Sequence, residues 1–183
     1  MEELSLHILD LVQNSLGAGA GRVEIVVTED LERDRFTLEI IDNGRGMSRE
    51  FVAQVLNPFT TTRTTRRVGL GLSLLEMATR QCNGGIDLDS EPGKGTRVRA
   101  FFQHSHWDRA PLGNIRATLV AIISANPRMH LIYRHRVGER SFSLDTAEIK
   151  AILGEDIPLN QMAVLGWLED YLTEKLSELY AVD

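Results

Sequence analysis

The sequence predicts an α+β two-layer sandwich, with a mixed or antiparallel sheet covered by helices on one face, plus a small α/β C-terminal extension. Three observations lead there. Runs with alternating apolar residues come in pairs, Val23, Ile25, Val27 then Phe36, Leu38, Ile40, and later residues 86–90 then 97–102. Segments with helical periodicity stand before and between those pairs. Past Gln103 the composition changes, and a second, shorter set of elements follows a polar stretch.

The bulk numbers fit that size of fold. The 183 residues suffice for one ordinary domain, with or without a small appendage. A net charge of −6 gives no reason to expect nucleic acid or an anionic membrane as partner. The single cysteine, Cys82, leaves no internal disulfide and no cysteine-based zinc site, and fits a reducing compartment. Without a long apolar run or a basic leader, the expectation is a soluble cytoplasmic protein.

The elements follow in order. Leu4, Ile8, Leu11, Val12 and Leu16 recur at helical spacing, and the glycines from Gly17 to Gly21 end that helix. Asp10 and Asn14 are four apart and share one of its faces, with His7 a turn earlier. Strands over 22–28 and 36–40 are joined by a charged turn. Ser48 can cap a short helix through Leu56. Residues 57–68 have no periodicity and are rich in threonine and arginine, which suits a mobile loop closing over an anion or a solvated basic loop. Gly69 to Ser73 open a helix whose buried stripe should include Leu74, Met77 and Ala78. A glycine-rich loop entering a helix offers free backbone N–H groups to phosphate. The strands over 86–90 and 97–102 flank the turn at 91–95.

The polar stretch 104–112 reads as a linker between a first unit, 1–103, and the extension, 113–183. In the extension, Asn114 caps a helix closed by Pro127, a hairpin turns at 137–139, and Asp145 to Glu148 resemble a capping box. A long helix over about 160–180 carries the stripe Val164, Leu165, Leu168, Tyr171, Leu172, Leu176, Leu179. That stripe must be covered by the core or by a second copy.

The chemistry centres on residues 40–47. A strand delivers the carboxylate of Asp42, and Gly44 and Gly46 follow with no Cβ in the way. One acceptor at a sheet mouth can read one donor on a flat ring. Asp-Asn-Gly is equally an ordinary turn. The Gly69-x-Gly71 pair has Leu74 where a dinucleotide fingerprint needs glycine, and Lys94 is followed by Gly95, which rules out a Walker lysine.

Taken together, five segments resemble the boxes of the GHKL ATPases, the family of gyrase, heat-shock chaperones, histidine kinases and mismatch-repair MutL proteins. They are 9–20 (the asparagine box), 42–47 (the first glycine box), 57–63 (the phenylalanine box), 69–74 (the second glycine box) and 90–96. The resemblance covers about 4–103 and implies a Bergerat-type sandwich binding ATP and Mg2+. Asp42 would accept from the adenine amino group with Thr96 beside it, while Gly44 and Gly46 let the ring pass. Asn14 would hold the magnesium. Phe59, Thr61, Arg63 and the backbone of Gly69, Leu70, Gly71 and Leu72 would form lid and phosphate cradle. Hydrolytic members carry glutamate four residues before the asparagine. Here Asp10 takes that catalytic position, one methylene shorter, so slow intrinsic hydrolysis is expected.

Only three residues precede Leu4, so the chain resembles a stand-alone kinase-type domain, like the anti-sigma serine kinases, without a phosphoacceptor-histidine hairpin. The expected function is a signalling kinase or ATPase acting on a separate protein through a His, Ser or Thr acceptor. The alternative is an ATP-gated binding switch. A homodimer through the C-terminal helix is a further expectation.

Overall fold

The computed structural model describes residues 3–55, 70–154 and 156–181, the side chain of Leu70 excepted. The first half runs α1 (Leu4–Gly17), β1 (Arg22–Asp30), β2 (Arg35–Asp42), α2 (Arg49–Val55), α3 (Leu70–Gln81), β3 (Gly85–Glu91) and β4 (Gly95–Gln103). The second half runs α4 (Ile115–Ala125), β5 (His130–Val137), β6 (Arg140–Asp145), α5 (Thr146–Leu153) and α6 (Met162–Leu179).

All six strands form one sheet in the order β3-β4-β2-β1-β5-β6. Every neighbouring pair is antiparallel except β1 and β5, which run parallel. The mixed sheet predicted from the sequence is therefore present, and the strands of the extension continue it. The parallel pair needs a crossover, which α4 supplies. Asn114 caps that helix by accepting from the Ala117 N–H at 3.1 Å.

Alternation along the strands separates the two faces. Val23, Ile25 and Val27 of β1 are fully buried, in register with Ile40 and Leu38 of β2 and with Leu131 and Tyr133 of β5. They meet Leu4, Ile8, Leu75, Leu119 and Leu168 of the helices in one core. The opposite face carries charge: Glu24 pairs with Arg22 and Arg134, and Glu39 with Arg97 and Arg99.

The stretch 104–112 is tied down at both ends. Pro111 and Leu112 carbonyls accept from the N–H groups of Leu4 and Ser5 at 2.9 Å, satisfying donors that the first turn of α1 leaves free. His104 donates to Glu29 at 2.7 Å.

One helix faces a different way from the sequence expectation. Leu74 and Met77 of α3 are 42% and 57% exposed, while Leu72, Leu75 and Thr79 are buried. The apolar residues of α3 are spread over more than one face, so periodicity alone did not select the buried one. On α6, Val164, Leu168, Leu172 and Leu179 are buried, with Leu165, Tyr171 and Leu176 packed against the core. That stripe, open to a second copy on sequence grounds, is covered from within the chain by α4 and β6.

Candidate functional site

β2 ends on Asp42, on the helix-covered face of the sheet and opposite Thr96 of β4. Both oxygens of the carboxylate are held. The Ser15 hydroxyl donates to Oδ2 at 2.6 Å and the Gly44 N–H donates to Oδ1 at 2.8 Å. A carboxylate can accept about four bonds, so each oxygen keeps capacity for a ligand. Ser15 is presented by α1, one residue after Asn14, and is itself buried.

The glycines permit two close backbone approaches. A Cβ on Gly46 (φ +68°) would lie 1.9 Å from the Glu91 carbonyl oxygen, and one on Gly95 (φ +95°) would lie 1.9 Å from that of Asp42. These positions therefore require glycine twice over, by contact and by conformation. They bring the 43–47 turn against the β3–β4 turn, where the Gly93 N–H donates to the Arg45 carbonyl at 2.7 Å and the Met47 N–H donates to Ser90 Oγ at 2.8 Å. Ser90 Oγ lies 3.0 Å from Thr96 Oγ1. Thr96 is thus fixed beside Asp42 through a serine.

These parts enclose a cavity of about 440 Å³, within the range of small-molecule sites. One wall is α1, with Leu11, Asn14 and Ser15, and the floor is Ile40, Asp42, Thr96 and Val98. Met47, Phe51, Val55 and Leu72 add apolar lining. A largely apolar cavity with one fixed carboxylate suits a planar heterocycle bearing an amino group.

Of the residues singled out by sequence, Asn14, Asp42, Gly46, Leu72 and Thr96 line this cavity together. Gly44 supports it from behind, holding Asp42 through its N–H. Asp10 does not line the cavity. It is exposed on α1 beside the start of α3, where a Cβ on Gly71 would come 3.3 Å from its Oδ2. Leu70 opens α3. Phe59, Thr61, Arg63 and Gly69 lie outside the described residues.

Ser15, Ser90 and Gly95 belong to this candidate site, and sequence reasoning gave them no role of their own. Ser15 had a signal, its place directly after Asn14 on a helix that must face the strand ends. His7 is buried, and burial chiefly holds its imidazole below the ordinary value. It lines a separate cavity of about 230 Å³.

No cluster of three His, Cys, Asp or Glu side chains placed to hold a metal exists among the described residues. A hard cation at Asn14 would therefore draw its remaining oxygen ligands from phosphates and water, which is how magnesium usually sits in nucleotide sites. The residues present fit that arrangement. No described helix is long and apolar enough to cross a membrane.

The family profile described as "Histidine kinase-, DNA gyrase B-, and HSP90-like ATPase" matches residues 2–106. The sensor histidine kinase YxdK of Bacillus subtilis (strain 168) is 35% identical over 106 residues, which are 54% of this chain and 32% of that protein. The nitrogen regulation protein NtrY of Azorhizobium caulinodans is 36% identical over 85 residues, 44% of this chain and 10% of that one. The chain thus spans about a third or less of the length of these relatives. Among solved structures, the Aquifex aeolicus MutL ATPase domain complexed with ADP superposes with a TM-score of 0.52 at 16% identity. That superposition covers 84% of this chain and 69% of that one, and establishes the shared fold.

Proposed function

Because the chain belongs to the histidine kinase-, DNA gyrase B- and HSP90-like ATPase family, we propose that the cavity at Asp42 binds Mg·ATP, and that the protein is a signalling kinase or ATPase acting on a separate protein partner. The observation that carries this reading is the Asp42 carboxylate, fixed by Ser15 and Gly44 in the lining of a largely apolar cavity. Asp42 accepts from the adenine amino group, and Thr96 flanks it. Gly46 keeps the way clear for the ring, and Gly44 holds Asp42 through its N–H. The Asn14 side-chain oxygen holds magnesium, which supplies charge neutralisation for the phosphates. Phe59, Thr61, Arg63 and the backbone from Gly69 to Leu72 close over the phosphates, using the N–H groups at the start of α3.

Asp10 orients a water or an acceptor hydroxyl at the terminal phosphate. Its place on the rim, against Gly71 and outside the cavity wall, supports slow turnover. The same observation favours a second reading, a switch in which ATP binding alone changes the hold on a partner. Incubation with γ-labelled ATP and a lysate of the source organism separates the two. A labelled partner protein supports the kinase. Nucleotide-dependent pull-down without label supports the switch. Neither label nor nucleotide-dependent association would remove both.

A further inference from the structure

Helix α6 lies outside the residues matched to the family, and its buried stripe is satisfied within the chain. A second face is not. Ala163, Trp167 and Tyr171 are spaced four apart and form one row, with Ala163 and Trp167 exposed and Tyr171 half-buried at the edge of the covered stripe. Trp167 is 49% exposed and stacked on Tyr171, with ring centroids 5.2 Å apart and planes at 20°. A large aromatic already held by its neighbour is the kind of side chain that dominates interfaces, because little freedom is left to lose on binding. Asp170 and Glu174 follow on the flank of that row, and over Met162–Leu179 four acids, Glu169, Asp170, Glu174 and Glu178, face the single base Lys175. Lys175 is paired with Glu178 at 2.7 Å.

This charge selects the occupant. A second copy would lay acid against acid. An anionic membrane surface would be repelled. We infer that the Trp167 face of α6 is a docking surface for an amphipathic helix of a partner protein, one whose apolar stripe covers Trp167 and Tyr171 and whose lysines or arginines meet Asp170 and Glu174. Helix-on-helix recognition of this kind is read through anchors on one face. The inference does not depend on the nucleotide reading.

The test uses the whole protein with Trp107→Phe, which removes the fully exposed second indole so that emission reports Trp167. Two labelled model peptides serve as probes, an amphipathic leucine–lysine helix and its leucine–glutamate counterpart. The lysine peptide should bind saturably, shift Trp167 emission to the blue and weaken as salt rises. The glutamate peptide should not bind. By anisotropy of the labelled peptide, Trp167→Ala should weaken binding about tenfold or more. The double variant Asp170→Asn, Glu174→Gln should weaken it with a shallower salt dependence, circular dichroism being unchanged. Equal binding of both peptides, binding of neither, or full affinity in Trp167→Ala would overturn the inference. So would burial of Trp167 by concentration-dependent dimerisation or by anionic vesicles.

Discussion

Asp42 shows what a sequence motif omits. Its place after an apolar strand and before two glycines is legible in the chain, and so is the role of a lone acceptor. The groups that fix it are not, because Ser15 is 27 residues away on another element. Hydrogen bonds to charged groups contribute roughly 1.5–3 kcal/mol. Ser15→Ala should therefore weaken ATP binding about tenfold, from about 1.4 kcal/mol, without unfolding the protein. Titration calorimetry checks it, and unchanged affinity would mean the hydroxyl does not organise the carboxylate. Asp10 makes a separate prediction. Asp10→Glu, one methylene longer, should raise ATP turnover, since a misplacement of about 1 Å can cost about a hundredfold. Asp10→Asn should lower turnover and leave ATP affinity nearly unaltered. If neither substitution moves turnover, Asp10 is not the residue that positions the water.

At the scale of elements, the glycine turns and α3 give opposite lessons. Gly46 is legible within the first glycine box and Gly95 within the 90–96 segment, and neither position has an alternative: each would place a Cβ 1.9 Å from a carbonyl oxygen. Gly93, also at positive φ (+79°), has open space around its missing Cβ. Gly93→Ala should thus cost only the backbone strain of about 1–2 kcal/mol. Gly46→Ala should cost more and disturb nucleotide binding as well. Urea unfolding of the two variants gives the comparison, and equal losses would count against the close approach. Periodicity does not pick out the buried face of α3, because Leu72, Leu74, Leu75 and Met77 supply apolar residues on several sides. Which side is buried depends on where the sheet lies, a fact of packing rather than of local pattern. Leu75→Ala should cost about 2–5 kcal/mol, and Leu74→Ala, on the exposed side, within about 0.5 kcal/mol.

In the whole molecule, the two ends of one sheet face do different work. Near Asp42 lies the cavity, and at the far end of β1 lies Glu29. Glu29 accepts from His135 Nε2 at 3.1 Å, from His104 Nε2 at 2.7 Å and from the Tyr180 hydroxyl. His135 is also within 2.9 Å of the Tyr133 hydroxyl. Burial alone would push the Glu29 carboxyl up, but these donors outweigh it and bring it down to about 2 from 4.5. A lowered carboxyl stabilises the fold above its unfolded value and loses that contribution as pH falls toward the folded one. Stability measured by urea unfolding should therefore decline between about pH 5 and pH 2 more steeply in the wild type than in Glu29→Gln. Parallel curves would show that the network carries no net stabilisation. This knot is not legible in the chain, since the partners of Glu29 stand 75, 106 and 151 residues from it. The parallel pairing of β5 with β1 was hidden for the same reason: alternation marks a strand but not its neighbour.

We propose above all that Asp42 reads adenine in the cavity it lines with α1. Calorimetric titration of the wild type and of Asp42→Asn with Mg·ATP and Mg·GTP tests it most directly. Guanine presents a carbonyl where adenine presents its amino group, so a carboxylate there should select ATP. Tight ATP and weak GTP binding are expected in the wild type. In Asp42→Asn, ATP affinity should fall about 10–150-fold, with the fold intact by circular dichroism. Equal affinity for both nucleotides, or ATP binding unchanged by Asp42→Asn, would contradict it.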